Sequence, residues 1–343
     1  MKKIGIIGAT GYTGSELVRL LSGHREVEIK VITSESHQGK RFSDIHPQFK
    51  GICDVELQPA EKAGTMDLDL VFLALPHGVS MNYVKAWQDK PFRIVDLSGD
   101  FRLSSPKIYQ QWYNKEHIYE EGFKQAVFGL PELYRSGIKD SRLVANPGCF
   151  PTGAILAAYP LVKDKIVAPG RLIVDSKTGV TGAGVKPKLV THFPNVNDNF
   201  KPYGIKTHRH TIEIQETLSE STGQEATVQF TPHLLPVDRG ILTSVYGIPT
   251  GTVSQERLEE LYQKYYQGEP FIRIRGEAPQ IKHVRGTNYT DISVFYDKRT
   301  DNVMVFSAID NLVKGAAGQA IQNMNLMLGI REQEGLNSIP LMP

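Results

Sequence analysis

The stretch KIGIIGATGYTG, residues 3–14, decides the fold of this chain. Its first five residues form an apolar run that predicts a strand, and three glycines follow at the spacing GxxGxxG. The next residues, 15–21, carry apolar side chains at helical spacing and predict a helix. A strand, a glycine-rich turn and a helix in this order are typical of the first unit of a dinucleotide-binding sheet.

Working outward from this stretch, the pattern of predicted elements changes once along the chain. Strands are predicted at 27–33, 68–75, 93–97 and 143–145, and helical segments lie between them. This alternation predicts βαβ units and a parallel sheet. After residue 150 a helix is predicted at 152–163, and strands that alternate apolar with polar residues are predicted at 171–176, 226–232, 242–248 and 292–296. Such alternation is typical of an antiparallel sheet with one covered face.

The predicted fold class is therefore α/β, with a Rossmann-type dinucleotide domain followed by an α+β domain whose sheet is mostly antiparallel. Two further helices are expected in the second half. One runs to about Tyr266 with Ser254 as its N-cap, and the other runs from about Leu312 to Leu328. The last helix is rich in glycine and alanine, so we expect one of its faces to approach a neighbour closely.

Composition argues against several classes of protein. Apolar residues make up 40% of the 343 residues, charged residues 22%, and the net charge is +2, so neither nucleic acid nor an anionic membrane is an expected partner. No apolar run resembles a signal peptide or a membrane span. The two cysteines, Cys53 and Cys149, form no metal-binding spacing with histidine. We expect a cytoplasmic protein without a metal site, in which thiols stay reduced.

The glycine loop supplies the first candidate site. Glycines at these positions allow a tight turn and a close approach of backbone N–H groups to a pyrophosphate, and the helix N-terminus adds a partial positive charge. An ordinary βα turn can show the same spacing. The residues expected to bind the cofactor are Gly8, Thr10, Gly11, Tyr12, Thr13 and Gly14.

The end of the second predicted strand bears on which dinucleotide binds. An acidic residue there usually accepts from the ribose hydroxyls of NAD, and Glu35 is such a residue. The hydroxyls of Ser34 and Ser36 and the cations Lys40 and Arg41 suit a 2′-phosphate instead. These residues favour NADP, and a solvated polar loop remains the alternative for each of them.

Cys149 is the candidate nucleophile. It follows a predicted strand and a Pro-Gly turn and precedes a helix expected to begin near Thr152, and the N-terminus of a helix favours a thiolate. Most lone cysteines are small buried apolar residues, and we assign that part to Cys53. The position of Cys149 in a turn between the two predicted domains favours a chemical role.

The segment 208–213, His-Arg-His-Thr-Ile-Glu, supplies two imidazoles and a carboxylate. A thiolate nucleophile needs a base or cation beside it. If a helix begins near Thr211, Glu213 lies one turn from His210 and can orient its ring, whereas it matches His208 poorly. We therefore expect His210 to be the principal acid/base, although both histidines are also compatible with an exposed surface.

Cysteine, histidine and a nicotinamide site together indicate one chemistry. A thiolate attacks an activated carbonyl, a leaving group departs, and the resulting thioester is reduced by hydride to an aldehyde. A phosphate leaving group needs cations and N–H donors. Candidates are Arg102 and the glycine-rich loop 177–184, including Lys177 and Gly182, which suits an anion-binding nest or a flexible surface loop.

Several motifs in order resemble one family. They are Ala74–Gly78, Asp96–Arg102, Phe128–Glu132, Ala145–Cys149, His208–His210, Pro236–Gly240 and Lys314–Ala320, together with the glycine loop. The chain resembles the N-acetyl-gamma-glutamyl-phosphate reductases, relatives of aspartate-semialdehyde dehydrogenase, nearly from end to end. The resemblance implies an oxidoreductase that uses NADPH to convert N-acetyl-L-glutamyl 5-phosphate to N-acetyl-L-glutamate 5-semialdehyde and phosphate in arginine biosynthesis.

The resemblance also implies roles for parts of the chain. Cys149 is the expected thioester nucleophile, with the histidine pair in the acid/base role. Asn146, beside the cysteine, is an expected substrate contact, and Asn311 is expected near the nicotinamide. A cofactor domain at 1–148 is expected to be completed by the C-terminal segment 312–343, and a catalytic domain at 149–311 is expected to form the subunit contacts of a homodimer or homotetramer.

Two departures from the family pattern concern the substrate. Phe150 stands where a tyrosine is usual, and the loop at 176–187 lacks an arginine that we expect after its last glycine. The second departure leaves the N-acyl group of the substrate open. The alternatives are a sibling reductase that acts on another acyl phosphate and a non-catalytic sensor of NADP(H). A sensor has no use for Cys149 with a histidine pair, which argues against that alternative.

Overall fold

A computed structural model describes residues 1–342 and divides the chain into two compact units. The first unit contains Met1–Pro147 and Ala316–Asn337, and the second contains Gly148–Gly315 and the residues after Asn337 up to Met342. The returning C-terminal segment is shorter at both ends than the 312–343 that we expected. Within residues 1–342 no helix has the length and apolar character needed to cross a membrane.

The first unit is an α/β structure with one parallel sheet. Its elements are β1 (Lys2–Ile7), α1 (Tyr12–Leu21), β2 (Val27–Ile32), α2 (Phe42–Ile45), β3 (Leu70–Leu73), α3 (Ser80–Ala86), β4 (Arg93–Asp96), α4 (Pro106–Tyr113), α5 (Glu121–Gln125), β5 (Ala126–Phe128), α6 (Pro131–Asp140), β6 (Leu143–Ala145) and, much later, α11 (Gly318–Met327). The strands lie in the order β2-β1-β3-β4-β6-β5.

The strand order places the glycine loop where the sheet changes direction, between β2 on one side of β1 and β3 on the other. Ile4, Ile6 and Ile7 on β1 are fully buried, as expected of a strand that is covered on both faces. From β1 the chain runs to β2 on one side and then returns to β3 on the other side. Ligands of such sheets bind beyond the carboxyl ends of the strands where the order reverses. The glycine loop follows β1 at this reversal.

Helix α11 completes the first unit from the other end of the chain. All ten of its residues are buried, and its Asn323 amide donates to the Gly129 carbonyl at 2.8 Å and to Asn146 Oδ1 at 3.0 Å. Just beyond the helix, Glu332 pairs with the Arg135 guanidinium through contacts of 3.0 and 3.2 Å. Apolar burial and these polar contacts together hold the returning segment in the first unit.

The second unit is built on a larger, mixed sheet. Its elements are α7 (Cys149–Lys163), β7 (Leu172–Thr178), α8 (Phe193–Val196), β8 (Lys201–Pro202), α9 (His210–Thr222), β9 (Val228–Leu234), β10 (Ile241–Gly247), α10 (Gln255–Tyr266), β11 (Ile272–Ile274), β12 (Thr290–Asp297) and β13 (Asn302–Ile309). The strand order is β11-β12-β13-β10-β7-β9-β8. Among the described residues, the pairs β7–β9 and β11–β12 are parallel and the other pairs are antiparallel.

One face of this sheet is covered by helices. Along β7, Leu172 and Val174 are buried, whereas Ile173 between them is 44% exposed, which is the period-2 pattern of a strand with one covered face. Helix α7 packs against β10 and β13 and against α9. The sheet therefore fixes α7, and α7 begins at Cys149.

Most of the predicted elements are confirmed, and the differences are informative. The Ser254 hydroxyl accepts from the Arg257 N–H at 3.2 Å and caps α10 as predicted. The sequence patterns missed β5, β8 and β11, which are three residues or shorter, and also β13. The last helix is not regular from Leu312, because it opens with a wide π-helical turn at Val313–Ala317 before α11 begins.

Candidate active site

Cys149 is the first residue of α7, and Gly148 before it is extended, with φ −67° and ψ 154°. The predicted start near Thr152 is therefore wrong by one turn. Pro151 lies inside the first turn, where a helix has no use for an N–H donor and proline is tolerated. Cys149 is not part of a disulfide bond and is only partly exposed. The partial positive charge at the start of a helix favours the thiolate form of a cysteine placed there.

The His210 ring lies directly against Gly148. A Cβ atom built on Gly148 would come within 2.5 Å of His210 Nε2 and 2.8 Å of its Cε1, so a side chain there would displace the imidazole. His210 is the first residue of α9, and its ring also meets the edge of Phe150 at 5.8 Å between ring centres. The residues on both sides of Cys149 therefore hold this imidazole.

Glu213 lies one turn into α9 and is fully buried. Its Oε1 accepts from the backbone N–H of Gly148 at 2.7 Å. A buried carboxylate needs such donors, because an uncompensated charge is costly to remove from water. The carboxylate thus joins the start of α9 to the residue that precedes Cys149.

His208 occupies a cage of aromatic rings. The ring centres of Tyr203, Phe150 and Phe230 lie 5.5, 5.6 and 5.4 Å from that of His208. Its Nδ1 accepts from the backbone N–H of His210 at 3.2 Å. Burial, with a smaller contribution from the charge of Arg209, lowers the pKa of His208 to about 4. His208 is therefore neutral near pH 7.

Tyr203 belongs to this cluster and was missed by the sequence patterns. Burial raises the pKa of its phenol, and the negative charge of Cys149 raises it further. Gly204, at φ +56°, lets the chain turn beside His208. A Pro-Tyr-Gly turn ahead of the histidine pair is the signal that was available, and it is a weak one.

The glycine-rich loop after β7 is fixed by Asn311. The Asn311 amide donates to Thr181 Oγ1 at 2.9 Å, and its Oδ1 accepts from the Gly240 N–H at 2.8 Å. Gly182 lies beside Thr178, since a Cβ built on it would be 3.4 Å from Thr178 Oγ1. Asn311 is only 2% exposed, and within the second unit it joins two loops.

Lys177 does not share the surroundings of Gly182. Its ammonium group lies 2.8 Å from Asp175 Oδ1 and 3.3 Å from Ser244 Oγ. Neighbouring residues of a strand point to opposite faces, so the Lys177 side chain lies on the opposite face of β7 from Thr178. The role of Lys177 as a substrate contact remains a prediction.

In the first unit the glycine loop has the geometry that its spacing predicts. Gly8 has φ +85°, and a Cβ there would come within 2.5 Å of the Ala74 carbonyl oxygen. A Cβ on Gly14 would come within 2.3 Å of the Gly8 carbonyl oxygen, so the helix packs tightly on the turn. Gly11 caps α1 and has open space beside it. Tyr12 and Thr13 are the first two residues of α1.

The loop after β2 lies next to this turn. Thr10 Oγ1 and Ser34 Oγ are 3.0 Å apart and share a hydrogen bond. Ser36, Lys40 and Arg41 are exposed, as is Glu35. The structure therefore brings Ser34 to the glycine loop and leaves the two cations accessible to a bound phosphate.

Two further candidates lie in the first unit. The Arg102 guanidinium donates to the Leu97 carbonyl at 2.8 Å and is partly buried. Asn146 is 1% exposed and uses both ends of its amide, because it donates to the Ala316 carbonyl at 3.1 Å and accepts from Asn323. These contacts give Asn146 a structural part in the first unit. Its substrate role, like that of Arg102, remains a prediction.

Comparison with known proteins gives the class that this fold and site define. Residues 3–141 match the family model for the semialdehyde dehydrogenase NAD-binding domain, and residues 149–311 match the model for the semialdehyde dehydrogenase dimerisation domain. The structure of aspartate semialdehyde dehydrogenase II from Vibrio cholerae superposes with a TM-score of 0.73 at 18% identity, over 96% of this chain and 99% of that one. The Candida albicans enzyme with NADP gives the same TM-score, at 18% identity over 96% and 98%. The chain therefore has the two domains of a semialdehyde dehydrogenase, in the same order.

Full-length relatives narrow this class. The N-acetyl-gamma-glutamyl-phosphate reductase of Methanocaldococcus jannaschii is 49% identical over 100% of both chains, and that of Pelotomaculum thermopropionicum is 47% identical over 99% of both. The chain belongs to the N-acetyl-gamma-glutamyl-phosphate reductase family. It is therefore an oxidoreductase with a nicotinamide-dinucleotide-binding domain, as the sequence motifs predicted.

The low pKa of His208 gives a prediction for stability. Its value falls from 6.5 to about 4 on folding, so between these values the unfolded chain binds a proton that the folded chain does not. His208 therefore does not reduce the free energy of unfolding above pH 6.5. The free energy of unfolding falls as the pH drops from 6.5 toward 4. The full shift corresponds to about 3 kcal/mol, and partial exposure reduces this to about 1–2 kcal/mol.

Urea unfolding from pH 7.5 to 4.5 tests this. His208→Asn retains an acceptor for the His210 N–H and should lose less stability on acidification than the unsubstituted protein. His192→Asn, at an exposed position, is the control and should follow the unsubstituted protein. Identical pH slopes for the two variants would show that His208 is not buried as a neutral ring.

Proposed function

We propose that this protein reduces N-acetyl-L-glutamyl 5-phosphate to N-acetyl-L-glutamate 5-semialdehyde and phosphate with NADPH, as a step of arginine biosynthesis. The observation that carries the proposal is the contact of the His210 ring with Gly148, the residue that directly precedes Cys149 at the N-terminus of α7. The names of the full-length relatives support the substrate.

The first half of the reaction belongs to Cys149. Its thiolate attacks the acyl carbon, the carbon–oxygen bond to phosphate breaks, and phosphate leaves with the electron pair. The product is a thioester on Cys149. The thiol proton passes to His210 before attack, and the partial positive charge at the start of α7 lowers the free energy of the thiolate that remains.

The second half needs a proton at the former carbonyl oxygen. When bound, NADPH supplies a hydride to the thioester carbon. His210 holds the proton that neutralises the oxygen of the resulting thiohemiacetal, and it takes a proton back when the carbon–sulfur bond breaks and the aldehyde leaves. Neutral His208 supports the ring of His210 from the side and is less suited to hold a proton near pH 7.

The glycine turn and the loop after β2 in the first unit have the geometry and charge that suit NADP(H). The close approach of Gly14 to Gly8 places the start of α1 directly on the glycine turn, and the N-terminus of a helix is suited to bind a pyrophosphate. Ser34 is bonded to Thr10, and Lys40 and Arg41 are exposed in the same loop, which favours a 2′-phosphate over the bare ribose of NAD. We assign Gly8, Thr10–Gly14, Ser34, Ser36 and Lys40 to cofactor binding.

The two cysteines and the second unit also bear on the cellular compartment and on the oligomeric state of the enzyme. A thioester mechanism needs a reduced thiol, and neither cysteine is part of a disulfide bond, which supports a cytoplasmic enzyme. The matched dimerisation-domain model over 149–311 supports a homo-oligomer joined through the second unit.

The substrate and cofactor are tested together by running the reaction in reverse. With phosphate and NADP⁺, N-acetyl-L-glutamate 5-semialdehyde should be oxidised with a kcat/KM at least about 100-fold above that of aspartate semialdehyde, since a site built to hydrogen-bond its substrate can discriminate by about 10⁴–10⁵-fold. Replacement of NADP⁺ by NAD⁺ should reduce kcat/KM. A preference for another semialdehyde would identify a sibling reductase, and equal use of NAD⁺ would contradict the assignment of Lys40 to a 2′-phosphate.

The nucleophile has a control within the chain. Cys149→Ser should reduce turnover by several orders of magnitude, because a serine hydroxyl is not ionised near neutral pH. NADPH binding, measured by fluorescence titration, should remain. Cys53→Ser, in the first unit, should leave turnover unchanged. More than a tenth of normal activity in Cys149→Ser would remove the thioester from the mechanism.

The histidine roles are tested by three variants. His210→Asn should lower kcat by about 10²–10⁴, the range of general acid–base catalysis. Glu213→Gln keeps an acceptor for the Gly148 N–H, so it should lower kcat less and shift the pH–rate profile. His208→Asn should mainly raise KM. A larger loss of kcat in His208→Asn than in His210→Asn would reverse the two assignments.

A further inference from the structure

The turn that follows β13 is organised by one buried carboxylate. Asp310 is fully buried, and its Oδ1 accepts from the N–H groups of Leu312 and Val313 at 2.8 and 3.1 Å. Its Oδ2 accepts from the Gly286 N–H at 2.7 Å. The Arg239 guanidinium lies 3.5 Å from the same oxygen. The carboxylate therefore fixes the start of the turn from several directions.

The turn itself is wider than an α-helix. Its π-helical stretch begins at Val313, and the Gly315 N–H donates to the Asp310 carbonyl, five residues earlier, at 2.9 Å. Wide turns of this kind push the backbone outward and are frequent at functional sites. Asp310 thus holds the turn through its backbone carbonyl as well as through its side chain.

Gly315 is pressed against the candidate nucleophile. A Cβ built on Gly315 would come within 2.9 Å of Cys149 Cβ and 3.2 Å of Cys149 Cα. Gly315 is not among the described glycines with positive φ, so its backbone does not require a glycine. The space taken by Cys149 does.

We propose that Asp310 and Gly315 are positioning residues for Cys149: the anchored wide turn is the wall that fixes the direction of the thiol. The proposal rests on the proposed function, in which Cys149 attacks the acyl phosphate. Because the wall contacts Cys149 at Cβ and Cα, it restricts the side chain at its root. The sequence predicted that a face of the last helix, which is rich in glycine and alanine, approaches a neighbour closely. Gly315 makes such an approach to Cys149.

The neighbouring residue extends the same device. Asn311 joins Thr181 to Gly240, so two consecutive buried side chains fix three segments of the second unit: the loop after β7, the loop before β10 and the turn against Cys149. A displacement of a reacting atom by about 1 Å can cost about 100-fold in rate. A rigid wall behind the nucleophile therefore matters to kcat rather than to binding.

Gly315→Ala in the full-length enzyme tests the proposal. The added methyl group must move Cys149 or the turn, so kcat should fall by about 100-fold while the KM values for NADPH and for the acyl phosphate change little. The rate at which iodoacetamide alkylates Cys149 in the free enzyme, followed by mass spectrometry of the Cys149 peptide, should also change severalfold. Gly251→Ala is the matched control, because no atom lies within 4 Å of a Cβ at that position.

A second variant covers the case in which Gly315→Ala fails to fold. Asp310→Asn keeps one acceptor oxygen but places an amide where Oδ2 accepts from Gly286, so the turn should loosen. It should show the same split between kcat and KM, with a smaller loss. A folded Gly315→Ala enzyme with unchanged kcat and an unchanged alkylation rate would overturn the proposal.

Failure of the mechanism itself is recognised separately. If Cys149→Ser retained activity, Cys149 would not be the nucleophile, whatever Gly315→Ala does to kcat. The alkylation rate reports the position and surroundings of the thiol without any turnover, so it still decides whether the turn positions Cys149.

Discussion

The structure of the active site depends on the absence of a side chain at Gly148. Its N–H is bonded to the Glu213 carboxylate, and the space that a Cβ would fill is taken by the His210 ring. The next residue is Cys149. One position thus joins the start of α7 to the start of α9. A side chain at 148 would displace the His210 ring, because a Cβ there would come within 2.5 Å of its Nε2.

His208 and His210 differ in their surroundings, and this difference affects which of them can carry a proton near pH 7. His208 is surrounded by Tyr203, Phe150 and Phe230, and burial keeps it neutral. Its ring therefore supports the cluster much as another aromatic residue would, and its Nδ1 serves the His210 backbone. His210 lies at the start of α9 beside Gly148. Two identical side chains, two positions apart, thus have different surroundings and, in our proposal, different tasks.

The strand, glycine turn and helix that open the first unit could be predicted from the sequence. Gly8 and Gly14 make close backbone contacts that exclude a side chain, so the glycines recur at a recognisable spacing. It was less informative about helix boundaries. The sequence predicted that α7 begins near Thr152, but proline is accepted in the first turn of a helix, and α7 begins at Cys149. The sequence patterns also gave no sign of the contact between Gly315 and Cys149, residues that are far apart in the chain. Contacts of this kind depend on tertiary packing, which no local pattern records. Tyr203 was missed for the same reason.

The return of the chain to the first unit has a consequence for synthesis. Helix α11, with all its residues buried, supplies packing and the Asn323 bonds that a chain ending at Pro147 would lack. A nascent chain emerging from the ribosome therefore holds an incomplete first domain, in which α11 does not yet cover α6, α1 and β4, while the whole second unit is made. Such exposed surface is prone to aggregation. The half of the protein that is translated first is the half that can be completed only near the end of translation.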